Sequence, residues 1–185
     1  MIECKIESIR VSLVTQHRVV ILKEVESERY LPIWIGPYEA DAIALELQEV
    51  PVARPLTHDL MRSIITELGG HPTHVLINDL RDDTFFARIV LDANGRHAEI
   101  DSRPSDAIAL AVRVKCNIYV DEAVMERAGV TLDSEVPADD EDAPDTESLP
   151  QAERADEDRL SVFRDFINSL DIDDLGKSGE GPSKQ

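Results

Sequence analysis

The sequence predicts an α+β fold. Two β-β-β-α-α units, related by internal duplication, form a mixed sheet packed with helices, followed by an acidic disordered linker and a short C-terminal helix. Two observations carry this reading. The pentapeptide Asp-Ala-Ile-Ala-Leu occurs at Asp41–Leu45 and again at Asp106–Leu110, an offset of 65 residues. Each copy also has the same flanks. A strand-like run, ending in Ile33-Trp34-Ile35 or in Ala98-Glu99-Ile100, breaks at a helix-start signal, Gly36-Pro37 or Asp101-Ser102-Arg103-Pro104. Two similar halves imply pseudo-twofold packing. They also imply two acidic helix starts in related places, with Asp41 the counterpart of Asp106.

Taken in order, residues 4–15 alternate apolar and polar, with Cys4, Ile6, Ile9, Val11 and Leu13 on one side. The alternation slips once near Glu7-Ser8, which predicts a β-bulge. Val19-Val20-Ile21-Leu22 is a continuous apolar run, the pattern of a strand buried on both faces. Tyr30–Ile35 is a third strand, and Pro32 inside it points to an edge. Pro37 opens a helix with Ala40, Ile43, Ala44 and Leu47 as its apolar stripe. After the loop Val50–Pro55, Thr57 is placed to cap a second helix. Its expected buried side is Leu60, Met61, Ile64, Ile65 and Leu68, and Gly69-Gly70 stops it.

The second half repeats the plan. Thr73–Leu80 and Thr84–Asp92 read as strands joined through Arg81-Asp82-Asp83, where Asp is an ordinary turn former. Asn94-Gly95 is the strongest hairpin signal, because both residues tolerate the positive φ of a tight turn. Arg96–Asp101 is a third strand. A helix follows from about Arg103 to Lys115, then a short strand, Asn117–Val120, and a last helix, Glu122–Ala128, ended by Gly129.

This places one domain at residues 1–132, with half-repeats of about 1–70 and 71–130. Residues 133–158 are rich in Asp, Glu, Ala and Pro and cannot bury enough apolar surface to offset chain entropy, so they read as a disordered linker. Residues 159–171 carry Leu160, Phe163, Phe166, Ile167 and Leu170 on a short amphipathic helix suited to a protein partner. Residues 172–185 read as a disordered tail.

Composition limits the function classes. Apolar content of 42% supports a core, and aromatics at 4% make it mostly aliphatic. No apolar run is long enough to cross a membrane, and the N-terminus is not a secretory signal, so no membrane role is expected. Cys4 and Cys116 give neither a disulfide framework nor zinc spacing, which suggests a cytoplasmic location. The net charge of −19 is uneven. Residues 1–130 carry 14 Lys and Arg against 21 Asp and Glu, and residues 131–185 carry 5 against 17. Loose electrostatic binding to nucleic acid is therefore disfavoured, and any phosphate chemistry needs a local basic group or divalent cations.

Four segments could carry chemistry. In Asp101-Ser102-Arg103-Pro104-Ser105-Asp106, two carboxylates flank a guanidinium at a strand-to-helix corner. Arg103 could clamp a phosphate oxygen at a helix N-terminus, and Asp101 and Asp106 could hold Mg²⁺ or Mn²⁺. The plainer alternative makes Asp101 or Ser102 an N-cap and Asp106 a partner of the helix dipole. Glu39, Asp41 and Glu46 on the first helix could hold a hard cation or could form a solvated acidic face. In Arg54-Pro55-Leu56-Thr57-His58-Asp59, His58 could move a proton or stand idle at a helix start. The acids Asp79, Asp82 and Asp83 read more simply as turn residues. Residue chemistry by itself stops at a soluble α+β domain with a candidate acidic metal site.

Five stretches in one order resemble the bifunctional nuclease domain family: Leu31–Gly36, Glu39–Leu45, Arg54–Asp59, Thr84–Arg88 and Ile100–Leu110. The resemblance covers roughly residues 1–130. It implies an internally duplicated α+β fold, self-association as a homodimer, and a nuclease, a phosphodiesterase acting on DNA or RNA. It suggests Glu39, Asp41, Arg54, His58, Asp59, Asp101, Arg103 and Asp106 as candidates, without assigning a catalytic set. The expected scheme has Mg²⁺ or Mn²⁺ held by Asp41, Asp101, Asp106, Glu39 and Asp59, and substrate bound by Arg54 and Arg103. Catalysis falls to Asp101, Arg103, Asp106 and His58. The alternative is a non-enzymatic regulatory or protein-interaction module.

Overall fold

The computed structural model describes residues 1–11 and 17–131. The expected linker, amphipathic helix and tail lie outside the described residues, as does the end of the first predicted strand. The elements run β1 (Ile2–Val11), β2 (Arg18–Glu24), β3 (Arg29–Ile35), α1 (Pro37–Leu47), α2 (Thr57–Glu67), β4 (Gly70–Arg81), β5 (Thr84–Ala93), β6 (Arg96–Ser102), α3 (Pro104–Val114), β7 (Asn117–Val120), α4 (Glu122–Ala128) and β8 (Val130–Thr131).

The strands form one sheet in the order β6-β5-β4-β7-β1-β2-β3-β8. Each half contributes an antiparallel meander, β1-β2-β3 or β4-β5-β6, and the two run outward from the middle in opposite directions. Strand β7 sits between them, parallel to β4 and antiparallel to β1. The two meanders therefore run antiparallel to one another on either side of β7.

Local chemistry explains the details. The slip near Glu7 is a register shift between Ile6 and Ser8 in the β1–β2 pair. In β2, Val19, Val20 and Leu22 are fully buried and Ile21 nearly so, which is why that stretch does not alternate. Pro32 is tolerated because β3 pairs outward with β8 only at Arg29 and Tyr30. The β5–β6 turn uses Asn94 at φ 53° and Gly95 at φ 75°, the conformation that Asn-Gly favours. Asp82 and Asp83, at φ 45° and 57°, close the β4–β5 turn in the same way.

The aliphatic core lies between one sheet face and the helices. Val75, Ile77, Ala87, Ile89 and Ile118 from the sheet meet Ile108, Leu110 and Ala111 of α3 and Ile43 of α1. Helix α3 is central: it packs on β4 and β5 and is flanked by both α1 and α2. Accordingly nearly every residue from Pro104 to Ala111 is buried.

Two helix expectations need correction. Thr57 is not the cap of α2. Leu56 occupies that position, and its N–H donates to Asp59 Oδ2 at 2.7 Å. The buried side of α2 is also rotated from the expected one. His58 is buried, and Met61 and Ile65 pack on the core, while Leu60, Ile64 and Leu68 are exposed by 55%, 50% and 74%. The apolar residues of α2 cover more than one face, so periodicity alone could not choose between them. Tertiary bonds from the first turn chose.

Candidate functional site

Helices α1 and α3 begin alike. Gly36 and Arg103 are the N-cap residues, both with extended backbone, and Pro37 and Pro104 are the first helical residues. Proline suits that position because its fixed φ is helical and its missing N–H would be unpaired there anyway. Counted from the proline, Glu39 and Asp106 are both third in their helices. Their carboxylates meet on one guanidinium. Arg103 Nη2 donates to Glu39 Oε1 at 2.8 Å, and Arg103 Nε donates to Asp106 Oδ2 at 2.8 Å. Arg103 Nη2 also reaches Asp106 Oδ1 at 3.2 Å. His58, in the first turn of α2, places Nε2 3.1 Å from Asp106 Oδ1. The first turns of three helices therefore converge on one cluster.

Exposure grades the cluster. The Arg103 side chain is 67% exposed, Asp106 27%, Glu39 17% and His58 9%. Burial pushes the Asp106 carboxyl up, but the hydrogen bonds and charges of Arg103 and His58 outweigh it and hold the group below the usual carboxylate range. Asp106 and Glu39 in turn push the Arg103 guanidinium up. The helix N-termini add partial positive charge and free N–H groups at the same place, so the site can stabilise anionic oxygen. Gly36 makes room for it: a Cβ there would collide with the Glu39 carboxylate.

The other sequence candidates lie elsewhere. Asp41 is two residues past Glu39, about 200° round the helix. It faces a shallow groove beside Ile9 and Val11, with Arg18 Nε at 3.5 Å. Asp101 is not a helix cap but part of β6, in register with Arg88 of β5. The neighbours of Arg88, Ala87 and Ile89, are the buried ones, so alternation turns Asp101 to the sheet face away from α3. Ser102 likewise belongs to β6. Arg54 lies in the exposed loop before α2. The expected convergence of Asp41 and Asp101 on Arg103 is thus not found.

Asp59 sits in a second layer. Its Oδ1 accepts from Nε of Arg113 at 2.7 Å, and the Arg113 side chain is only 1% exposed. Burial pushes the Asp59 carboxyl up, but the Leu56 N–H and the Arg113 guanidinium hold it below the usual range. Sequence reading missed Arg113. The signal was present, since it is the one charged residue in the apolar run Ala107–Val114. Neither cysteine is poised as a nucleophile: burial raises both thiols, that of Cys4 to about 12.

The donor set as arranged does not fit the expected ion. Both Asp106 oxygens and Glu39 Oε1 already accept from cationic or imidazole groups. Among the described residues no three His, Cys, Asp or Glu side chains are grouped so as to hold a metal.

Comparison with known proteins decides the family. A family model described as the bifunctional nuclease domain matches residues 20–133. The chain belongs to the bifunctional nuclease domain family. "Uncharacterized protein Rv1829" of Mycobacterium tuberculosis is 41% identical over 173 residues, covering 94% of this chain and 97% of its own length. "Bifunctional nuclease 2" of Oryza sativa subsp. japonica is 30% identical over 118 residues, covering 62% of this chain and 36% of its own. "Bifunctional nuclease 1" of Arabidopsis thaliana is 27% identical over 120 residues, 63% of this chain and 37% of its own. The chain thus spans between about a third and a half of the length of the plant nucleases it matches. The family segment takes in all four residues of the Arg103 cluster. Among the described residues, no helix is long and apolar enough to cross a membrane.

Proposed function

We propose that this protein is a nuclease that cleaves phosphodiester bonds of DNA or RNA at the cluster of Glu39, His58, Arg103 and Asp106. One observation carries the reading. An exposed guanidinium stands where three helix N-termini meet, flanked by two carboxylates, one of them backed by an imidazole.

The chemistry follows from competition for Arg103. A phosphate oxygen matches the guanidinium fork as well as a carboxylate does. When a phosphodiester draws Arg103 away, Asp106 loses the bonds that hold its pKa down and becomes a better base. Its Oδ2 can then take the proton of an attacking water or ribose hydroxyl as the new P–O bond forms and give it to the leaving alkoxide oxygen as the old P–O bond breaks, while His58 Nε2–H donates to Oδ1 and steadies the carboxylate. Arg103 and the helix N-termini offset the charge that builds on the phosphorus oxygens. Glu39 keeps the guanidinium in place before substrate arrives.

Mg²⁺ or Mn²⁺ assistance stays part of the proposal. No step above passes through a metal, because the two carboxylates would first have to be released from Arg103. Self-association as a homodimer is proposed on the exposed ridge formed by Leu60 and Ile64 of α2 and Leu68 at its C-cap. A cytoplasmic location is likewise proposed.

The test uses the full chain on single- and double-stranded DNA and RNA, with Mg²⁺, Mn²⁺ or EDTA, beside Arg103→Met. Metal-dependent or independent cleavage that falls at least about 10²-fold in the variant supports the site. Equal cleavage in the variant moves the activity elsewhere. No cleavage by the wild type under any condition favours the non-enzymatic interaction module.

A further inference from the structure

We infer that Arg113 is the positioning residue of this site, a buried guanidinium that sets the relative placement of the three helix starts. The inference rests on the nuclease reading only for its kinetic arm. Its geometric content stands on the contacts themselves.

Each bond of Arg113 reaches one of the three helices within a turn of a site residue. Nη2 donates to the carbonyl of Ala42 at 3.1 Å, three residues and one turn past Glu39 on α1. Nη1 donates to the carbonyl of Ala109 at 2.8 Å, three residues past Asp106 on α3. Nε donates to Asp59, the neighbour of His58 on α2. Residues three apart share a helix face, so Ala42 and Ala109 lie under Glu39 and Asp106. The two carbonyls can accept because a helical C=O keeps a second lone pair after its intrahelical bond. The other oxygen of Asp59 takes the Leu56 N–H that opens α2. One planar group therefore fixes the axial position of α1 and α2 against α3.

Stability alone does not account for this choice. A buried ion pair is often no better for stability than apolar side chains of the same size. What the fork provides, and an apolar side chain cannot, is three directional bonds in one plane. Lysine has the charge without the fork. The structure thus gives Arg113 a geometric role: without it the helices still pack, but Glu39, His58 and Asp106 lose their common register.

The test compares Arg113→Met, Arg113→Lys and Asp59→Asn with wild type as full chains. The first readout is the imidazole ¹⁵N spectrum of His58, which reports the bond from Nε2 to Asp106. Asp106→Ala, which has no acceptor at this position, supplies the reference for a broken bond. We expect Arg113→Met to stay folded while its His58 signals move to those of Asp106→Ala, with no rescue by lysine. The second readout is kinetic: kcat falling by about 10²-fold with KM nearly unchanged, the signature of a misplaced group rather than a lost binding contact. His58 signals identical to wild type in folded Arg113→Met, or full recovery in Arg113→Lys, overturn the inference. Should Arg113→Met fail to fold, Asp59→Asn decides by the same spectrum. That spectrum needs no substrate, so a wild type without nuclease activity would end the nuclease reading and leave this one to be judged separately.

Discussion

Helices α1 and α3 carry the same five residues, yet they use them differently. In α3 the aspartate of the pentapeptide, Asp106, is third from the opening proline and bonds Arg103 and His58. In α1 the same aspartate, Asp41, is fifth from its proline and faces Arg18 in a separate groove. The residue that matches Asp106 in space is Glu39, which lies outside the repeat. Two residues of offset from the cap amount to about 200° of rotation, more than enough to move a side chain to another face. Identity of sequence therefore did not give identity of place. The position counted from the helix start did.

Neutralising the two aspartates separately tests this contrast most directly. Asp106→Asn is expected to lower cleavage by about 10²- to 10⁴-fold, the range for losing a positioned acid or base. Asp41→Asn is expected to leave cleavage within about twofold and stability within about 0.5 kcal/mol, since its pairing with Arg18 is a surface one. Equal losses in the two variants would restore Asp41 as the counterpart of Asp106.

The next effect is on stability and belongs to the layer below. Asp59→Ala leaves the Arg113 charge buried without its carboxylate and is expected to cost about 3–5 kcal/mol in urea unfolding. A loss under about 1 kcal/mol would mean that water reaches the guanidinium, contrary to its burial.

A smaller effect depends on pH. Asp59 and Asp106 are both held below the usual carboxylate range in the folded chain. A depressed folded pKa gives stability that is fully present above the unfolded value of about 3.9 and is lost as pH falls through the folded one. Urea midpoints are therefore expected to change little from these groups between about pH 7 and 5 and to fall below about pH 4. An Asp59→Asn/Asp106→Asn variant should show a flatter acid limb. An equally steep limb would assign acid sensitivity to other carboxylates.

The smallest effect concerns Gly36. Its φ of −67° is open to any residue, so Gly36→Ala should fold normally. The added methyl group meets only the Glu39 carboxylate, a flexible end that can swing away. Arg103 should then lose its bond to Glu39 while keeping those to Asp106. A crystal structure of Gly36→Ala with the Glu39–Arg103 distance unchanged at 2.8 Å would show that the glycine is not what seats this carboxylate.

The alternation of strands, the bulge at Glu7, the Asn94-Gly95 turn, the Pro-opened helices and the two three-stranded meanders were all legible from the residues. Each depends on residues near one another in the chain, where backbone preference and burial period act directly. The sequence also named Glu39, His58, Arg103 and Asp106, because helix starts are readable as places where charge collects. Which carboxylates share the Arg103 guanidinium was settled by packing. Asp101 went to the far face of a strand and Asp41 to the far side of a helix, since the face of a residue depends on register with partners distant in sequence. Packing also decided which side of α2 turned inward and gave Arg113 its place beneath the site. A charge in an apolar run announces that something must satisfy it, but its partners on three separate helices exist only once those helices have packed.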